Sequence, residues 1–179
     1  MAKCLSVKQS WKTDSPAVGR VYFPKRNYKR TPELQWALPD RIFFACGACH
    51  ILAYAFLERF PNRGFRALWM KPATGFTGNH VVATDGKTAF DFHGYCGWDR
   101  LLAHATRKNG QRMQGWSCKI IELPQDVLIS ERKSMTYDGL RLRGPEQYLH
   151  NALPRARAYL SRFEPPPLLL HRSASTATA

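Results

Sequence analysis

Apolar positions repeat with helical spacing along one long segment of the chain, from Phe43 to Phe60. One helix face carries the residues at i, i+4, i+7 and i+11, namely Cys49, Ala53, Phe56 and Phe60. Most of the intervening positions are apolar too, which is typical of a buried central helix. Pro61 and Gly64 follow the run and predict its end.

Alternation of apolar and polar residues predicts a β-hairpin over residues 79–92. Asp-Gly at 85–86 separates the two runs, and this dipeptide favours a two-residue type I′ turn because both residues tolerate positive φ. Counting outward from that turn gives the opposed pairs Thr84 with Lys87, Val82 with Ala89, and His80 with Asp91. Opposed residues have Cβ atoms about 4.5–5.5 Å apart, so a carboxylate there can hold an imidazole N–H and fix its tautomer.

Weaker patterns predict the remaining elements and the fold class. We expect strands at 18–23, 65–70 and 116–123, a short helix at 99–105 with Asp99 as its N-cap, and a helix from Pro145 to Leu153. A Pro/Gly loop at 71–78 is expected to border a substrate cleft. A cysteine-bearing central helix followed by an antiparallel hairpin predicts an α+β fold. Residues 1–163 then form a single domain with a basic N-terminal extension at 1–41, and 164–179 form a disordered tail.

Composition narrows the class of protein. The 179 residues are 44% hydrophobic and 12% aromatic, enough for one core. Five cysteines are an odd number, and the first residues lack an apolar signal region, so we expect reduced thiols and a cytoplasmic protein. Because no apolar run approaches the length of about 18 residues that a membrane span needs, no transmembrane segment is expected.

The net charge of +14 is concentrated in the two flanks of the chain. Residues 1–41 hold nine Lys/Arg against three acids and residues 100–179 hold thirteen against six, whereas 42–99 hold five against four. Such flanks can attract nucleic acid, an anionic membrane or an acidic protein partner, and the stretch 20–30 interleaves aromatic residues with cations. Solvated surface charge is the more common explanation, and no recognised nucleic-acid-binding motif accompanies the charge.

The predicted helix and hairpin together suggest a catalytic site. A thiol in the first turn of a helix experiences the positive end of the helix dipole, which favours the thiolate. The hairpin supplies a histidine with a carboxylate partner. A cysteine nucleophile, a histidine base and an aspartate that orients the base form the arrangement used in nucleophilic catalysis.

The same residues resemble the transglutaminase-like and papain-like cysteine superfamily. The resemblance covers about residues 40–95 and lies in three short motifs: Gly47-x-Cys49-x-x-x-Ala53, Asn-His-Val-Val at 79–82, and Phe90-Asp91-x-x-Gly94. It implies a Cys-His-Asp triad, with the cysteine at the start of a helix packed on an antiparallel sheet that bears the other two residues. By position, Cys49 matches the nucleophile, His80 the base and Asp91 the third member.

The resemblance has two departures. His50 stands where these families commonly have a tryptophan beside the nucleophile. No side chain is clearly marked for an oxyanion hole: Gln35 lies upstream at an unknown distance, and backbone N–H groups near Cys49 are the alternative. The choice of Cys49 over Cys46 as nucleophile depends on the resemblance alone.

Other interpretations use the same residues. Taken singly, Cys49 is also compatible with a structural role in the core, His80 with a hydrogen-bonded core histidine, and Asp91 with a strand end.

The run Cys46-Gly47-Ala48-Cys49-His50 matches the attachment pattern of c-type haem, with Met70 or Met113 as a second axial ligand, although that chemistry normally requires export. Two pairs with suitable internal spacing for structural zinc are Cys46 with Cys49 and His93 with Cys96.

We therefore expect a cysteine-dependent acyl-transfer enzyme that forms a thioester at Cys49 without a cofactor and acts on a protein or peptide substrate. Water as acceptor would make it a peptidase or amidase, and an amine would make it a transglutaminase-like acyltransferase. The alternative is a non-catalytic basic binding protein, with or without the zinc site, that contacts nucleic acid or an acidic partner.

Overall fold

A computed structural model describes residues 31–166, in which five strands form one antiparallel sheet in the order β4-β3-β2-β1-β5. The strands are β1 Arg66–Pro72, β2 His80–Thr84, β3 Thr88–Asp91, β4 Gly94–Gly97 and β5 Cys118–Leu123. The α-helices are α1 Pro32–Trp36, α2 Asp40–Ala45, α3 Cys49–Arg59, α4 Trp98–Gly110, α5 Glu131–Ser134 and α6 Ala152–Leu160. Short 3-10 helices span Gln125–Val127 and Pro145–Gln147. The α+β prediction is confirmed; the predicted strand at 18–23, the basic stretch 20–30 and nearly all of the predicted tail lie outside the described residues.

The central helix α3 is the one that the apolar periodicity predicts. It is buried over most of its length and packs against β1, β2, β3 and α6. The Phe56 ring stacks on that of Phe90 at 4.6 Å between centroids, which joins the helix to the strand that carries Asp91. The cysteine-bearing helix therefore has a fixed position on the sheet.

The sheet is covered on both faces. The large core on the α3 side contains Trp69, Val81 and Phe90, which come from three neighbouring strands. A smaller core on the other face contains Leu68, Val82 and Ala89, which alternate with the first set along the strands, together with Leu101 of α4. Helices α3 and α4 thus lie on opposite faces of the sheet.

The hairpin forms, but its predicted register is wrong by two residues. Ala83 pairs with Phe90 and Thr84 with Ala89, so Val82 rather than His80 is opposite Asp91. The loop is Gly86-Lys87 instead of Asp85-Gly86. The Asp85 carboxylate favours this loop because it accepts hydrogen bonds from the backbone N–H groups of Lys87 at 2.8 Å and Thr88 at 2.6 Å. Since strand side chains alternate with a period of two, the shift leaves His80 and Asp91 on the same face as a diagonal pair.

Two helix starts also differ from prediction. Gly97, not Asp99, is the N-cap of α4, and Asp99 lies in the first turn. The predicted helix at 145–153 is only a 3-10 turn at Pro145–Gln147, and α6 begins later, where the Asn151 side chain accepts the N–H of Leu153. The Asn151 side chain has an oxygen that can cap the helix, whereas Pro145 has none.

Candidate active site

The three side chains predicted as a triad meet at one end of the sheet. Cys49 is the first residue of α3, His80 the first of β2 and Asp91 the last of β3. The His80 Nε2–H group donates to Asp91 Oδ2 at 3.0 Å, and His80 also interacts with the Cys49 thiol. Since Nε2 is engaged by the carboxylate, proton exchange between His80 and the thiol would use Nδ1. The site is sheltered, with side-chain exposures of 17% for His80 and 2% for Asp91.

The electrostatics favour an ion pair between Cys49 and His80. Burial opposes ionisation of the thiol, but hydrogen bonds from His50 and His80 outweigh it and lower the pKa of Cys49 to about 5. Burial likewise opposes protonation of His80, but hydrogen bonds to Asp91 and Cys49 raise its pKa to about 10. At neutral pH the pair is therefore a thiolate and an imidazolium, the reactive state of a nucleophilic cysteine.

Asp91 stays ionised because both of its oxygens accept hydrogen bonds. Burial acts against the charge, yet bonds from His80 and His93 hold the pKa of Asp91 well below its usual range. Oδ1 accepts the backbone N–H of His93 at 2.7 Å, and His93 Nδ1 lies 3.2 Å from the same oxygen. The sequence paired His93 with Cys96 as zinc ligands; the structure instead places His93 against the carboxylate that also accepts from His80.

His50 is a second imidazole beside the thiol, and it is held differently from His80. It is 2% exposed, and its Nε2–H group donates to the backbone carbonyl of Arg143 at 2.9 Å. A carbonyl can only accept, so the proton on Nε2 is fixed. The two rings therefore differ in their partners: a carboxylate accepts from His80, whereas a neutral backbone carbonyl accepts from His50.

Residues 46–48, which we call the Gly47 loop, lead the chain into α3. Gly47 has φ of 110°, a conformation that favours glycine, and its carbonyl accepts the Tyr148 hydroxyl at 2.7 Å. Gln35 Nε2 donates to the Cys46 carbonyl at 3.4 Å, and Gln35 Oε1 accepts from Arg143 Nη2 at 2.8 Å. Side chains from both ends of the described chain therefore fix the backbone immediately before the cysteine.

Sequence reasoning missed two residues of this surrounding shell, Arg143 and Tyr148. The Arg143 guanidinium lies 4.2 Å over the Tyr148 ring, and its backbone carbonyl reaches His50 across 93 positions of sequence. These residues belong to a segment of short turns without apolar periodicity, so no local signal marks them. Gln35, which the sequence offers as an upstream amide, lies against the Gly47 loop, with its Nε2 3.4 Å from the Cys46 carbonyl.

The structure does not assemble the metal or haem alternatives. Among residues 31–166, no group of three or more His, Cys, Asp or Glu side chains is placed to hold a metal ion, so the predicted zinc pairs do not converge. The haem pattern needs a ring nitrogen of His50, which is buried and bonded to a backbone carbonyl. The suggested axial ligand Met70 is 1% exposed inside β1.

Comparison of the chain with protein-family models, with curated proteins and with solved structures finds no match. The transglutaminase-like and papain-like resemblance therefore rests on the short sequence motifs of residues 40–95 alone. Across residues 31–166, every helix is too short or too polar to cross a membrane.

Proposed function

We propose that this protein is a cysteine-dependent acyl-transfer enzyme of the transglutaminase-like or papain-like type. The observation that carries the proposal is the chain of side chains Cys49, His80 and Asp91, in which His80 lowers the pKa of the Cys49 thiol and its Nε2 lies 3.0 Å from the Asp91 carboxylate. The thiolate and imidazolium charges that this chain favours supply a nucleophile and a proton donor at neutral pH.

The proposed reaction has two half-reactions. The Cys49 thiolate attacks the carbonyl carbon of an amide or ester, and as the bond to the leaving group breaks, the His80 imidazolium gives that group a proton. The acyl group is then held as a thioester on Cys49. Neutral His80 next takes a proton from water or an amine, which attacks the thioester and releases the cysteine. Asp91 stabilises the imidazolium and keeps the ring in position throughout.

Two donors are suitably located for the oxyanion of the tetrahedral intermediate. Cys49 is the first residue of α3, so its backbone N–H is one of the first-turn N–H groups that lack intrahelical partners. Gln35 has a second amide hydrogen besides the one directed at Cys46, and its Nε2 lies 3.8 Å from where a Cβ on Gly47 would be. We assign the Cys49 backbone N–H and the Gln35 side-chain amide to the oxyanion hole. The backbone N–H is expected there because it lies at the start of a helix, and the Gln35 amide because it lies beside the Gly47 loop.

The test is acylation by 4-nitrophenyl acetate, followed by peptide mass mapping at neutral pH. We expect the wild-type protein to acquire an acetyl group at Cys49 with release of nitrophenolate, and to acquire it much faster than Cys118 of the same molecule, whose pKa is raised by burial. In His80→Asn the acetylation of Cys49 should slow by about 100-fold or more, the usual scale of general acid–base assistance.

Gln147→Ala serves as a control for substitution near the site, because its side chain bonds to Gly144 and Glu131 and not to the three reacting groups. Acetylation of Cys49 no faster than that of Cys118, or an unchanged rate in His80→Asn, would show that the proposed function is wrong.

A further inference from the structure

A cavity of about 350 Å³ lies between β4 and α4, on the opposite side of the sheet from α3. Its volume is within the range of small-molecule sites, about 300–1,000 Å³. The lining contains neither Cys49 nor His80 and consists of His93, Tyr95, Cys96, Arg100, Leu101 and His104. The site is therefore adjacent to the Asp91 end of the hydrogen-bonded chain and separate from the proposed nucleophile.

Basic side chains gather on the helix that forms one wall of the cavity. Arg100, His104, Arg107 and Lys108 occur at i, i+4, i+7 and i+8, which is one face of α4. Arg107 Nη2 lies 3.5 Å from His104 Nδ1. Burial, together with the positive charges of His93, Arg107 and Lys108, lowers the pKa of His104, as expected where the potential is positive.

Carboxylates do not neutralise these cations. Among residues 31–166, no Asp or Glu oxygen lies within 4.0 Å of the charged groups of Arg100, Arg107 or Lys108. The nearby carboxylate whose charge reaches His104 and Cys96 is Asp91, and both of its oxygens are already occupied by histidines. An anion in the cavity would therefore meet unsatisfied positive charge.

We propose that this cavity binds a small organic anion, a carboxylate or a phosphate monoester with an apolar body. The anionic group contacts Arg100 and His104, and the apolar body packs against Leu101 and Cys96, which lie on this face of the sheet. Arginine presents a planar fork of donors that suits both kinds of anion. The inference concerns binding alone and does not depend on acyl transfer at Cys49.

Isothermal titration calorimetry of the full chain with three probes tests the proposal: benzoate, phenyl phosphate and the uncharged benzyl alcohol. We expect saturable binding of at least one anion, with benzyl alcohol about tenfold weaker or more. Arg100→Gln should weaken binding of that anion by about tenfold or more, and His104→Gln should weaken it as well. Both positions are exposed, so neither change disturbs the core.

The matched control is Arg132→Gln, which removes the same charge from the exposed helix α5 and should bind as the wild type does. Binding by only one of the two anions identifies the head group. Absence of saturable binding by both anions, equal binding of benzyl alcohol, or an equal loss in Arg132→Gln would overturn the proposal. Cys49→Ser should retain the affinity, so a failure of acylation at Cys49 is distinguishable from a failure here.

Discussion

Cys49 is the residue on which the proposed chemistry depends, and the pKa of its thiol is set by its neighbours more than by its own burial. Burial by itself would keep the thiol protonated and inert, as it does at Cys96, where burial and the charge of Asp91 raise the pKa to about 11. At Cys49 two imidazoles reverse that outcome. The difference between the two cysteines is a difference in hydrogen-bond partners.

The first prediction concerns the pH dependence of alkylation at Cys49. With a pKa lowered to about 5, the thiolate is present above that pH, so the rate with iodoacetamide should reach its plateau near pH 6. At pH 6 an ordinary thiol is ionised to about 0.3%, and the resulting advantage of roughly 300-fold falls to about tenfold because a less basic thiolate is less nucleophilic. Mass-spectrometric rates at Cys49 and Cys118 from pH 4 to 10 measure the difference.

The same experiment on His80→Asn gives the control. Without the imidazolium, the inflection of the Cys49 profile should move upward toward that of an ordinary thiol, while the profile of Cys118 stays unchanged. An inflection near pH 8.5 in the wild-type protein would contradict the assignment of a thiolate at neutral pH.

At the scale of elements, the helix was easier to predict than the hairpin. Helix α3 is specified by contiguous apolar periodicity, and its C-terminal end agrees with the sequence prediction, but the predicted run from Phe43 is divided into α2 and α3 by the Gly47 loop. The hairpin register depends on hydrogen bonds of two side chains in the turn, Thr84 and Asp85, and residue preference alone favoured the wrong pair of loop residues. The His80 and Asp91 contact survives that error because a shift of two residues preserves the face, whereas a shift of one would have separated them.

The second prediction follows from the turn. Asp85→Ala removes two hydrogen bonds from a carboxylate to backbone N–H groups and should lower the free energy of unfolding by about 1–2 kcal/mol. Lys87→Ala changes an exposed side chain in the same loop and should alter it by less than about 0.5 kcal/mol. Urea unfolding followed by circular dichroism compares the two variants, and equal effects would refute the role given to Asp85.

At the scale of the whole molecule, the shell around the nucleophile comes from segments far apart in sequence. Gln35 lies in α1, whereas Arg143 and Tyr148 lie in the turns before α6. Their meeting depends on tertiary packing of irregular segments, which no local pattern encodes. The triad could be predicted because its members lie on three neighbouring elements with strong patterns, and the shell could not.

Arg155 of α6 connects these distant segments. Its guanidinium donates to Asp40 Oδ1 at 2.9 Å and to the backbone carbonyls of Trp36 and Leu38 at 2.6 and 2.5 Å. The Arg155 side chain is 17% exposed, so its loss leaves three acceptors with little access to water. Since Trp36 directly follows Gln35, the position of the proposed oxyanion donor depends on this contact.

Arg155→Met should therefore lower the free energy of unfolding by about 3 kcal/mol, the scale for breaking a mostly buried charged pair. It should also slow acetylation of Cys49 under conditions where the variant is folded, because the backbone of α1 that carries Gln35 loses one of its anchors while the bonds from Gln35 to Cys46 and Arg143 remain. Arg162→Met is the matched control: Arg162 pairs with the same Asp40 but is 61% exposed, so its removal should cost no more than about 1 kcal/mol. Denaturant unfolding and acylation rates measured on the same two variants separate the effect on stability from the effect on the site. Equal stability losses would mean that Asp40 alone, and not the carbonyl contacts of Arg155, fixes α1 against α6.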